Sequence, residues 1–173
     1  MKKTIISALA LLSISAYSQI KKPYIIEHCK DKMTDKEYYF SSKKLICSNP
    51  EKTKGFTITP NFKKVDNDIV ENGLILSNVN IGNCDENDQL IFLFDDDSKI
   101  TLTSWNKFNC DGKAYFDMSD EQFNIISSKL IKTIRFVNGY KYETFTHSLE
   151  IIQKDYFVNA YSNYEIKEVN CDN

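Results

Sequence analysis

Glycine and proline are scarce in this chain, with five and three among 173 residues. That excludes collagen-like repeats and Pro- or Gly-rich low-complexity tracts. One tryptophan and scattered tyrosines do not make a stacked carbohydrate platform. His28 and His147 are the only histidines; neither lies in an HExxH pattern, and no GxSxG occurs. The five cysteines lack CxxC spacing, so zinc has no ligand framework. Basic residues number 22 against 24 acidic ones. Nucleic-acid binding needs a concentrated positive face, and none is indicated. No cofactor and no metal are expected.

Long apolar runs are missing too, except at the start. MKKTIISALALLSISAYSQ has basic Lys2 and Lys3, an uncharged run from Thr4 to Ala16, and small Ala16 and Ser18 before Gln19. This is the grammar of a secretory signal peptide. The run falls short of the roughly 20 apolar residues of a spanning helix. Residues 1–18 are therefore expected to be the signal peptide and 19–173 a single exported domain, secreted or periplasmic. Cleavage removes Lys2 and Lys3 and leaves 20 basic against 24 acidic side chains. No later run is long enough to cross a bilayer, so no membrane span is expected after cleavage. A domain of this length buries a sizeable core without metal.

What is abundant is aromatic and β-branched, with ten Tyr and eleven Phe, a mix that favours sheet. Strand patterns are read at Pro23–Ile26, Tyr38–Phe40, Leu45–Ile46, Gly55–Pro60, Leu74–Val79, Leu90–Phe94, Ile100–Trp105, Ala114–Met118, Ile131–Val137 and Tyr140–Thr146. Asp31–Lys36 reads as a turn and the polar Ser48–Lys54 as a loop. Ser119-Asp120-Glu121-Gln122 is a capping box with acids in the first turn. It predicts a helix over about 119–128 that buries Phe123, Ile126 and Leu130. Asn138-Gly139 is the strongest short hairpin signal. Leu149, Ile152, Tyr156 and Ala160 recur at helical spacing and predict a second helix over about 148–163. The class is α+β: a mainly antiparallel sheet with two helices, in one domain.

Several residues are candidates for chemistry. A Cys–His nucleophile pair would use His28 or His147 with a free cysteine, but no local signature supports it, and a surface or half-buried histidine is the better reading. Asp95-Asp96-Asp97 invites calcium. Calcium loops wrap spaced oxygens around the ion, and three adjacent aspartates at a hairpin tip do not. Aspartate is also an ordinary turn residue, and Asp85–Asp88 is read the same way. Tyr38, Tyr39, Tyr140 and Tyr142 fall on predicted strands or tips, where exposed aromatics form a binding patch or pack across strands.

From about Gly73 the chain resembles small secreted proteins of the Bacteroidota. The stretches that carry the likeness are GNCDENDQLIFLFDDDSK, WNKFNCDGKAYFDMS, KLIKTIRFVNGYKYE and QKDYFVNAY. The resemblance implies a secreted α+β domain and transfers no activity and no catalytic residue.

Two cysteines, Cys84 and Cys110, bracket the hairpin of QLIFLFDDDSKITLT. Burying Leu90, Phe92 and Phe94 together with Ile100 and Leu102 sets Phe94 opposite Ile100 and Phe92 opposite Leu102. The loop then has three residues centred on Asp97, and Cys84 falls opposite Cys110, within disulfide reach. A structural Cys84–Cys110 disulfide is expected. Cys29–Cys47 would be a second bridge, with Cys171 its competitor or the odd thiol. The expected function is a secreted or periplasmic non-enzymatic domain that binds a protein or an envelope component. The alternatives are a periplasmic inhibitor or immunity-type protein, and a small hydrolase with Cys or Asp chemistry.

Overall fold

Apolar alternation dominates the folded chain, and strands account for most of its elements. The computed structural model describes residues 22–35, 37–41, 43–65, 68–81, 87–105 and 112–171. The strands are β1 (Tyr24–Lys30), β2 (Glu37–Ser41), β3 (Leu45–Ser48), β4 (Gly55–Val65), β5 (Asp68–Val79), β6 (Gln89–Phe94), β7 (Lys99–Thr103), β8 (Lys113–Asp117), β9 (Ile131–Val137), β10 (Thr144–Ser148) and β11 (Tyr164–Glu168). The helices are α1 (Asp120–Ser128) and α2 (Tyr156–Ser162). The α+β class holds, with pairing antiparallel except between β1 and β11. The expected signal peptide, Cys84 and Cys110 lie outside the described residues.

The β6–β7 hairpin buries the predicted face: Leu90, Phe92, Phe94 and Leu102 are at most 1% exposed. Its register differs from expectation. Phe92 faces Ile100 and Leu90 faces Leu102. The shift is two residues, so every side chain keeps its face. The three-residue loop centres on Asp96: Phe94 N–H donates to the Ser98 carbonyl, and Asp97 takes the left-handed corner at φ 61°, which aspartate tolerates. The ladder ends at Gln89 and Thr103. Its register does not set Cys84 opposite Cys110.

β9 pairs with β6 on one side and β10 on the other. The return strand starts at Thr144, later than the Tyr140 expected, because Asn138-Gly139 is not a two-residue turn. The buried Asn138 carboxamide instead accepts from the Tyr140 and Lys141 amides. The buried Asp88 carboxylate accepts from Gly139 N–H at 3.0 Å. A four-residue loop results between Asn138 and Glu143, with Tyr142 left-handed at φ 56°.

In the larger sheet the order is β11-β1-β2-β4-β5-β8, with β3 also paired to β4. The smaller sheet runs β10-β9-β6-β7. Trp105 N–H donates to the Tyr115 carbonyl and joins the end of β7 to β8. From β3 through β4, β5, β8, β7, β6 and β9 to β10, the strands form one curled path around a core. Phe56, Phe92, Phe94, Phe116, Phe136 and Phe157 are its largest fully buried side chains.

Ser119 caps α1 as predicted, with both halves of the capping box present. Ile126 is buried and Phe123 half-buried, but Leu130 is exposed. The second helix is shorter than expected. Leu149 extends the β10 ladder by donating to the Lys132 carbonyl, and residues 151–155 form turns. Ile152 therefore points to solvent, while α2 drives Phe157 edge-on against Phe92 at 5.8 Å.

β11 was not anticipated. It lies parallel to β1, from Tyr24 opposite Tyr164 to His28 opposite Glu168. Just beyond it, Cys171 is bonded to Cys29, with Cα atoms 5.3 Å apart. The expected Cys29–Cys47 bridge is absent, because β3 carries Cys47 inward against β4 and Cys47 is a buried free thiol. Among the described residues no helix is long and apolar enough to cross a membrane.

Candidate functional site

β3 and β10 end the curled path, and among the described residues each is bonded on one side only. Antiparallel ladders bond through alternate residues. On β10, Leu149 N–H reaches the Lys132 carbonyl and Glu143 accepts from Asn138 N–H. Between them Phe145 and His147 face β9, so Thr144, Thr146 and Ser148 turn their N–H and C=O groups outward. On β3, Asn49 N–H donates to the Lys54 carbonyl. Counting back, Cys47 and Leu45 face β4, and Ile46 and Ser48 turn outward.

Between these two rows of backbone groups lies an open groove of about 670 Å³. Ile46 and Ser48 form one wall, and Thr146, His147 and Ser148 the other. Asn49, Pro50, Lys52, Glu150 and Gln153 close its ends. Phe145 lies at the base and meets Phe56 edge-on at 5.9 Å. Phe56 pairs with Cys47, whereas Tyr156, beyond β10, donates to the Lys43 carbonyl ahead of β3. The two edges therefore run in opposite directions.

Beside the groove is a smaller hollow of about 180 Å³, shared with Ile46 and bounded by Thr57, Val79, Lys52 and Lys54 over Gly55. Ile46 and Val79 are 58% and 50% exposed. Glycine is needed at 55, since a Cβ there would lie 2.3 Å from the Cys47 carbonyl oxygen. Among the described residues Lys52 and Lys54 have no acidic partner.

The residues singled out from sequence lie elsewhere, apart from His147 in the groove wall. Tyr39 is buried, stacks on His28 at 4.4 Å and donates to Glu37 at 2.9 Å, so it offers no surface. Tyr38 is partly exposed on β2, while Tyr140 and Tyr142 stand out from the β9–β10 loop. The four tyrosines do not form one patch. His28 lies between two carboxylates, with Nδ1 2.6 Å from Glu168 and Nε2 3.6 Å from Glu37. It braces β11 against β1 and β2.

The aspartate triplet is a turn whose charges are matched one by one. Asp95 meets Lys154 at 2.7 Å, Asp96 meets Lys129 at 2.6 Å and Asp97 meets Lys132 at 3.0 Å. The Lys129 ammonium, helped by Ser98, holds the Asp96 carboxyl down at about 2. Burial pushes the Cys47 thiol up to about 12, so it stays protonated and unreactive at neutral pH. Among the described residues no cluster of three His, Cys, Asp or Glu side chains is set to hold a metal.

Comparison with family models, curated proteins and solved structures finds no match. Sequence reasoning missed the groove. Its only local signal was Ile46, an aliphatic residue alternating with Leu45 and Cys47 and hence pointing away from the core.

Proposed function

We propose that the chain is an exported, non-enzymatic binding domain, secreted or periplasmic, that takes a protein partner in the groove between β3 and β10. The observation that carries this is the pair of sheet edges, unpaired among the described residues, that face one groove. Exposed edges are templates for pairing, and soluble proteins ordinarily cover or charge them. Here they are lined by short, uncharged residues.

Export is supported by the Cys29–Cys171 disulfide, which belongs to an oxidising compartment. With those two bonded and Cys47 sealed in the core, Cys84 and Cys110 are the two cysteines left. They are proposed as the second disulfide, and non-reducing peptide maps should recover them in one linked fragment. The mature chain is expected to start at Gln19 or within two residues of it by mass spectrometry.

The partner reading is tested by placing a photo-crosslinking amino acid at Ile46, at Ser148 and, as a remote control, at Tyr140, in the producing cell. Protein adducts are expected at the first two positions and not at Tyr140. Adducts only at Tyr140, or none at either groove position, would remove the groove from the reading.

A further inference from the structure

Resting on that reading, we infer that the groove takes an extended segment of another polypeptide as an added strand, hydrogen-bonded to β3 and β10 at once. The hydrogen-bonding groups determine the occupant. Ile46 and Ser48 on one wall and Thr146 and Ser148 on the other, with Thr144 further along the same edge, present backbone N–H and C=O groups in alternating order. A helix bonds its backbone internally and leaves both rows unpaired. A strand carries donors and acceptors on both sides at the matching repeat, the usual basis of strand-addition recognition. Because the edges run in opposite directions, the inserted strand is antiparallel to one and parallel to the other. From Thr144 to Ser148 the edge spans about 13 Å, so about five ligand residues meet it.

Side-chain chemistry narrows the class. On the outer face the inserted strand meets Ile46, with Val79 behind it, and both are exposed aliphatics. Lys52 and Lys54 border the same hollow and have no acidic partner among the described residues. The complementary segment has an aliphatic residue facing Ile46 and an acidic residue close to it on the same face.

The probe is a random 12-residue displayed peptide library, selected against the full oxidised chain. Selected peptides should share an aliphatic residue with a nearby Asp or Glu. N-methylation of single central residues should weaken binding about tenfold or more at consecutive positions, since neighbouring amides serve opposite edges. Thr146→Pro removes one outward donor while sparing the bonds to β9, and should weaken binding by a similar factor. Thr146→Val removes only the hydroxyl that accepts from Arg135, and should change binding less than twofold.

Peptides that lose binding in Ile46→Glu but ignore N-methylation would leave the groove reading standing and overturn strand addition. Sensitivity at alternate positions only would mean that one edge is used, which also overturns the bridging claim. Peptides indifferent to both Ile46→Glu and Thr146→Pro, or a library with no binder, would sink the groove reading itself.

Discussion

The hairpin half, β6, β7, β9 and β10, and the terminal half, β1, β2 and β11, hold together by different means. In the hairpin half, short turns join β6 to β7 and β9 to β10, and the inward face is Phe, Leu and Ile. Loop closure is cheap and burial is large. In the terminal half, a parallel ladder joins Tyr24 to Tyr164 across nearly the whole chain. Every residue of β11 is exposed, and among the described residues the local apolar cluster is Ile26 and Tyr39 with Tyr161 against it. Burial is too thin there to offset closing so long a loop. The Cys29–Cys171 bond and the His28–Glu168 contact supply what burial does not. The Cys29–Cys171 closure falls where burial is thin.

The largest effect should come from breaking that bond. Cys29 and Cys171 are 142 residues apart, and the chain-entropy model gives about 5 kcal/mol for a loop of that size. Cys29→Ser with Cys171→Ser should lower stability towards that figure in urea titration. Hydrogen exchange should show β11 loosening before any other strand. A double variant whose β11 stays as protected as β6 would mean that the ladder holds itself and the contrast is false.

Next comes the hairpin half. Phe136 is fully buried on β9 and packs against Phe56 at 6.1 Å. Phe136→Ala should cost about 3–5 kcal/mol and loosen β6, β9 and β10 together. Protection of β11 should fall no further than the global loss requires. Ser119→Ala is smaller, about 1 kcal/mol, because it deletes one side-chain acceptor for the Gln122 N–H while the Phe123 N–H keeps the Ser119 carbonyl. An unchanged urea midpoint would show that the Gln122 half of the capping box suffices.

The same contrast explains what could be read from sequence. Strands β6, β7 and β9 and the start of α1 announce themselves through alternation over a few residues and a four-residue capping box. The β6–β7 register slipped by two because alternation fixes only which face a residue takes, while the corner was chosen by aspartate's tolerance of the left-handed conformation. Asn138-Gly139 misled because Asp88, 51 residues before Gly139, captures its amide. β11 was invisible: YEIKE has no buried face, and its partner is at the other end of the chain. The groove was invisible for a related reason. An edge strand is defined by the neighbour it lacks, and that follows from topology, not from the composition of β3 or β10.

The smallest effect concerns which end of the pH scale reaches each half. Tyr24 and Tyr39 lie in the terminal half, and burial first of all pushes both hydroxyls up to about 12. Unfolded tyrosine titrates near 10. With the folded value above the unfolded one, their contribution is complete below about pH 10 and is lost as pH rises towards 12. Asp96, in the hairpin half, is held at about 2 by Lys129 and Ser98, below the unfolded value of about 3.9. Its contribution is present above about pH 4 and is lost as pH falls through 2. That carboxylate is about half exposed, so salt screens the effect. Between pH 10 and 12 the methyl NMR signals of Ile26 should therefore broaden or shift before those of Leu102. Between pH 4 and 2 the Ser98 amide, bonded to Asp96 at 3.1 Å, should shift, and Asp96→Asn should abolish that titration. If Ile26 and Leu102 give way together in alkali, the two halves form one cooperative unit and the distinction between them is only geometric.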